Sequence, residues 1–181
     1  ALIILPVPII TVLFERGEFS IIDSKNTASA LAIYAIGLPA FVLHKIFTPI
    51  FFSKGDTKTP FRIAVFSMLA NIILAISLIG HFEFLAPVLS TSISSWIMAF
   101  ALYHKSKKLG FYFDWKLIKE IVMILVSTII LSLVLILAQK EWFYLLTTNN
   151  FSLFYLIILI SASSSIYFLT LWFFGILNKN K

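Results

Sequence analysis

Lys45 offers the most chemistry in this sequence because of where it stands. It lies inside a long apolar run, from about Ser29 to Phe52, with Pro39 and Pro49 on either side and Gly37 close by. A lysine in such a run is costly unless it faces water, a partner or the interface. Three placements meet that need. Lys45 can line a watery path beside a helix broken by its prolines, an arrangement common in transporters. It can snorkel, since Ser53 is only about eight residues away, roughly 12 Å at helical rise. It can also pair with a carboxylate supplied from elsewhere. His44 precedes it and, on one helix, points about 100° away. That direction suits packing or an interfacial site better than a proton shuttle.

A second constellation is amide and hydroxyl. Asn71 sits in the middle of the run Phe61–Gly80, and the next run carries Ser90-Thr91-Ser92 and Ser94-Ser95. Such side chains let helices approach closely and hydrogen-bond across the contact. Their oxygens also suit a hard cation. Ser161, Ser163, Ser164 and Ser165, with Ala162 among them, read as a packing face in the last run. Lys105-Ser106-Lys107-Lys108 is a basic cluster that attracts anionic lipid head groups or simply fixes topology.

Other chemistries lack their residues. The eight carboxylates, Glu15, Glu18, Asp23, Asp56, Glu83, Asp114, Glu120 and Glu141, all fall between apolar runs or at their edges. No intramembrane proton relay can be built from them. His44, His81 and His104 lie in separate segments without ligand spacing, and cysteine is absent. No Gly-x-Ser-x-Gly elbow accompanies the many serines. The chain is not expected to be an enzyme, and its residues call for no organic cofactor.

The elements that must hold these residues are membrane helices. Of 181 residues, 60% are hydrophobic and only 12% charged, with a mean hydropathy of +1.01. Soluble domains carry about twice that share of charge. A bilayer core needs about 20 apolar residues per helix. Uncharged runs of that size stand at Ile63–Gly80, Phe84–Tyr103, Ile121–Gln139 and Phe151–Leu177, and the Lys45 run makes a fifth. Ala1–Phe14 is too short to cross and is taken as the end of a sixth, truncated helix. The expected fold is therefore all-α: a polytopic membrane helix bundle of five transmembrane helices plus that helix end, with no soluble appendage.

Boundaries and orientation follow. Glu15–Ala28 reads as a loop, and Ser53–Pro60 as a turn in which Gly55 allows positive φ, Thr59 caps and Pro60 opens the next helix. Asp114 and Asn150 are placed to cap the last two helices. Alternate sides of the predicted bundle collect ten basic residues against three. The rule that cytoplasmic loops are positive puts the ten inside, with the C-terminus cytoplasmic and Glu15–Ala28 outside. Trp115, Trp142, Tyr144 and Trp172 fit interfacial belts.

Several of these residues carry a resemblance. Leu13-Phe14-Glu15-Arg16-Gly17-Glu18-Phe19 resembles the external FERGxF loop of the MurJ/MviN family of lipid II flippases. The stretch Gly37–Ile46 followed by Phe51–Pro60 is similar to that family's next helix and its D-x-K-T-P turn. Ser90-Thr91-Ser92 with Trp96 resembles a TS…W stretch two helices on. The order and spacing agree along roughly the first 110 residues, and the rest matches in hydropathy.

The resemblance implies a place in the multidrug/oligosaccharidyl-lipid/polysaccharide exporter (MOP) superfamily. Residues 1–110 would be the second half of the C-terminal transporter lobe, MATE-like in fold, and residues 111–181 the two additional C-terminal helices. The implied activity is alternating-access flipping of the lipid-linked peptidoglycan precursor in the bacterial inner membrane. The lipid tail would follow a groove bordered by the last two helices. Lys45, with His44 beside it, would stand on the substrate path. Asn71 and Thr91 match positions that hold sodium in some members, although Ala75 stands where an acid would help. The implied partners are the lipid-linked oligosaccharide, membrane lipids and the N-terminal lobe. A chain of this length is expected to be inactive without that lobe. The alternatives are another exporter of the superfamily, for drugs or polysaccharides, and a non-transporting membrane remnant.

Overall fold

The computed structural model describes residues 1–148 and 152–176, with side chains through residue 139 and again from residue 152. Among them the structure is all-α, without a strand: α1 (Pro6–Phe14), α2 (Ile21–Phe52), α3 (Lys58–Phe82), α4 (Ala86–Lys107), α5 (Trp115–Thr148) and α6 (Ser152–Phe173), with a 3-10 turn at Glu83–Leu85. Five of these helices have 22 residues or more. Among the described residues, four helical stretches are long and apolar enough to cross a membrane, and one of them, Lys58–Lys107, runs through both α3 and α4. That stretch is folded back on itself. Ser67 Oγ donates to the Ser94 carbonyl at 2.7 Å, whereas a straight helix would hold those residues about 40 Å apart. The reversal falls at Glu83, where φ is 45°.

Helix boundaries depart from the sequence expectation in two places. The polar stretch 21–28 is helix, not loop. Ser20 and Asp23 form a reciprocal cap: the Ser20 N–H and hydroxyl donate to Asp23 Oδ2 at 2.9 and 2.7 Å, and the Asp23 N–H donates to Ser20 Oγ at 3.3 Å. This is a capping box with aspartate in the acidic position. At the α2–α3 turn the cap comes from Asp56, not Thr59. Asp56 Oδ1 accepts the Thr59 N–H at 2.9 Å, while Gly55 turns the chain at φ 72°. Hydrogen bonds from the Thr59 side chain and then its N–H hold the Asp56 carboxyl below its usual pKa. Asp114 does sit at the start of α5, accepting the Trp115 N–H at 2.7 Å. Asn150 and the tail lysines lie outside the described residues, as do the side chains of Trp142 and Tyr144.

A helix broken near Lys45 is not what the prolines produce. Pro39 and Pro49 both lie inside a continuous α2. Each lacks a donor for the carbonyl four residues back, but the remaining bonds carry the helix across.

The chain divides into two compact units. One comprises residues 1–28 and 113–181, in which α5 and α6 pack side by side and α1 touches both. The other, Ser29–Tyr112, contains most of α2 with α3 and α4. Large apolar side chains cover the outside: Phe66 is 63% exposed, Ile76 70% and Phe173 81%. The buried set is instead rich in serine, including Ser90, Ser92, Ser94 and Ser95 of α4. That inversion suits a solvent of hydrocarbon, in which small hydroxyl residues mark helix contacts.

Candidate functional site

Side-chain hydrogen bonds to backbone carbonyls join α2 to α4. Ser92 Oγ donates to Ile33 O at 3.1 Å and Trp96 Nε1 to Ile36 O at 3.0 Å. His44 Nε2 lies 2.8 Å from Ser95 O, so it carries the proton. Gly37 permits the approach: a Cβ there would stand 3.0 Å from Ser92 Oγ and 3.2 Å from Ser92 Cα. The roles of Gly37 and Trp96 in this seam escaped sequence reasoning. Their signal was a glycine on one helix and a serine and tryptophan four apart on another.

The seam separates the two consecutive site candidates. His44 is half-buried, edge-on to Phe41 with ring centroids 5.8 Å apart, and committed to Ser95. Lys45 is exposed, beside exposed Val42, Ile46 and Pro49. A histidine held this way orients α2 against α4. A lysine one residue on stands instead on the exposed side of α2.

Asn71 and Thr91 share a level in the α3–α4 hairpin. With Ser67 against Ser94, four residues on in one antiparallel helix faces four residues back in the other, which sets Asn71 beside Ser90 and Thr91. Asn71 Oδ1 is buried without a hydrogen-bond partner. Thr91 Oγ1 donates to Pro87 O at 2.7 Å and retains its lone pairs. The Thr91 carbonyl already accepts from Ser94 Oγ and Ser95 Oγ at 3.1 and 2.7 Å. A lone amide oxygen beside a hydroxyl fits a hard monovalent cation in donor type. Ala75, one turn along α3, adds no charge.

Elsewhere the serine run of α6 is not one face. Ser163 is buried and donates to Leu159 O, whereas Ser161 and Ser165 are exposed. Five consecutive helical residues span more than a full turn, so they cannot share one contact. An apolar cavity of about 510 Å³ opens on the α5–α6 pair, lined by Ile130, Ile166, Leu169, Trp172, Phe173 and Phe174 with Thr170. Before α2, Glu15 is half-buried and accepts Ser24 Oγ at 2.8 Å, and Phe14 and Phe19 stack 6.4 Å apart across a turn at Gly17, φ 59°. Glu15 is thereby spent on shaping the loop, whereas Glu18 is exposed.

Comparison with known proteins converges. The family model described as lipid II flippase MurJ matches residues 1–161. A probable lipid II flippase MurJ of Rickettsia prowazekii is 43% identical over 107 residues, 59% of this chain and 21% of the relative. Its counterpart in Rhizobium meliloti is 39% identical over 57% of this chain and 19% of its own length. That of Rhizobium tropici is 34% identical over 137 residues, 75% of this chain and 26% of the relative. The chain therefore spans about a fifth to a quarter of the relatives it matches.

Proposed function

Because this chain belongs to the lipid II flippase MurJ family, whose members are transporters and not enzymes, we propose that it forms the C-terminal part of a transporter of a lipid-linked peptidoglycan precursor. The observation that carries this reading is the family match over residues 1–161, on a chain whose long helices are apolar on the outside. In this reading the chain crosses the inner membrane five times with its C-terminus cytoplasmic, a reading supported by the five long helices and the distribution of lysines. Activity requires the remaining length of the transporter, and the chain alone does not flip lipid.

In this reading transport proceeds by alternating access. α2, α3 and α4 move as a block, tied by the seam and the Ser67–Ser94 bond. Lys45 faces the substrate path and meets the anionic head group as a strongly hydrated point charge. His44 holds the helix rotation that presents it. Asn71 and Thr91 contribute oxygens to a sodium ion, and a carboxylate from outside this chain supplies the charge that Ala75 lacks. The apolar cavity of α5 and α6 takes the lipid tail, which needs carbon-lined surface continuous with the bilayer. A chimera tests the assignment: the matching segment of the Rhizobium tropici relative is replaced by this chain, and precursor on the outer face is measured. Wild-type levels are expected. Stable insertion with no precursor outside would refute the reading.

A further inference from the structure

The α3–α4 hairpin gathers charge at one end. Since Ser67 lies against Ser94, Lys58 is level with Tyr103, and the flanking turn with Lys105–Lys108. Lys54, Lys58, Arg62, Lys105, Lys107 and Lys108 thus share that end, and all are exposed. Asp56, among them, accepts the Thr59 N–H and also feels the Arg62 charge, so it offsets only part of this cationic cluster. Lys107 Nζ rests 4.6 Å over the Tyr103 ring, which holds one ammonium in place.

Arg62 also heads an apolar track. Val65, Phe66, Leu69, Ile73 and Ile76 follow it at 3, 4, 7, 11 and 14 residues, one face of a helix, and all are exposed. Ser67, on another face, meets α4. Ten residues of this track cover about 15 Å, the depth of one leaflet. A cationic head and a hydrocarbon track of leaflet depth are joined on one helix face. An acidic peptide or free phosphate would leave the track unused.

We propose that this face is a binding site for an anionic phospholipid, its phosphate on Lys58 and Arg62 with the lysines of α4 nearby, and its acyl chain along the outer stripe of α3. The inference rests on membrane embedding and not on which substrate is carried. The 181-residue chain is purified into nanodiscs of mixed phosphatidylglycerol and phosphatidylcholine, and retained lipid is counted by native mass spectrometry. Preferential retention of phosphatidylglycerol is expected. Lys58→Gln with Arg62→Gln should cut that preference about thirtyfold, as two interfacial cations would. Lys116→Gln with Lys119→Gln removes equal charge elsewhere and should leave it intact, and millimolar inorganic phosphate should not displace the lipid. Equal loss in both double variants, displacement by phosphate, or a lipid-free dimer would overturn the proposal. Transport measurements are untouched by either result, so this site and the flippase assignment fail separately.

Discussion

His44 and Lys45 are consecutive yet face different surroundings, and the difference is testable. His44 ends on the Ser95 carbonyl, while Lys45 stays exposed. Lys45→Ala in the assembled transporter should reduce transport about tenfold or more, the worth of one charge-assisted hydrogen bond. Membrane insertion, followed by protease protection, should not change. Normal transport would leave snorkelling as the better account of this lysine. Asn71 makes a different prediction. Its buried, unpartnered oxygen gains a ligand if sodium binds. The thermal midpoint of the assembled protein should then be higher in sodium than in potassium chloride, by up to roughly 2.7 kcal/mol of stability at a hundredfold excess over Kd. Asn71→Leu should abolish the difference. No sodium effect in the native protein would exclude the site. The types and positions of these residues were readable in the sequence, because polar groups in apolar runs stand out. Their commitments were not, since a hydrogen bond to a backbone carbonyl on another helix leaves no mark in the residues that accept it.

At the scale of elements, the apolar runs were legible and the ends were not. Residues 21–28 looked like loop because Asp23, Ser24, Lys25, Asn26 and Thr27 are polar. The Ser20–Asp23 box starts a helix there regardless, since satisfying the first turn's N–H groups outweighs weak propensity. The prolines of α2 misled in the same sense, since the helix runs through both. The α2–α4 seam yields a packing prediction. Gly37→Ala places a methyl 3.2 Å from Ser92 backbone, so the helices must separate. A loss of about 1–3 kcal/mol is expected in detergent melts, and an unchanged melt would contradict the close approach. The turn before α3 yields a pH prediction. The Asp56 pKa is lowered in the folded state, so its stabilising effect is full above the unfolded value near 4 and fades as pH falls through the folded value. Asp56→Asn should flatten that part of the acid-unfolding curve, and an unaltered curve would deny Asp56 its capping role.

For the whole molecule, the decisive property is the inversion of surface and contact. Carbon covers the outside, and serines stand buried at the helix contacts beside apolar residues such as Phe47 and Leu102. This was foreseeable from composition, because 12% charge cannot cover a soluble surface. Family membership was legible too, in the three ordered stretches from Leu13 to Trp96, and the family match covers them. How the two compact units would serve the proposed transport was not legible, because the chain spans only about a fifth to a quarter of its relatives. The central claim is that the chain works as the C-terminal part of such a transporter. Its most direct test is growth of a flippase-depleted bacterium expressing this chain with and without the N-terminal portion of a matching relative. Rescue is predicted only when both are present. Rescue by the chain alone, or no rescue with both stably inserted, would contradict the account.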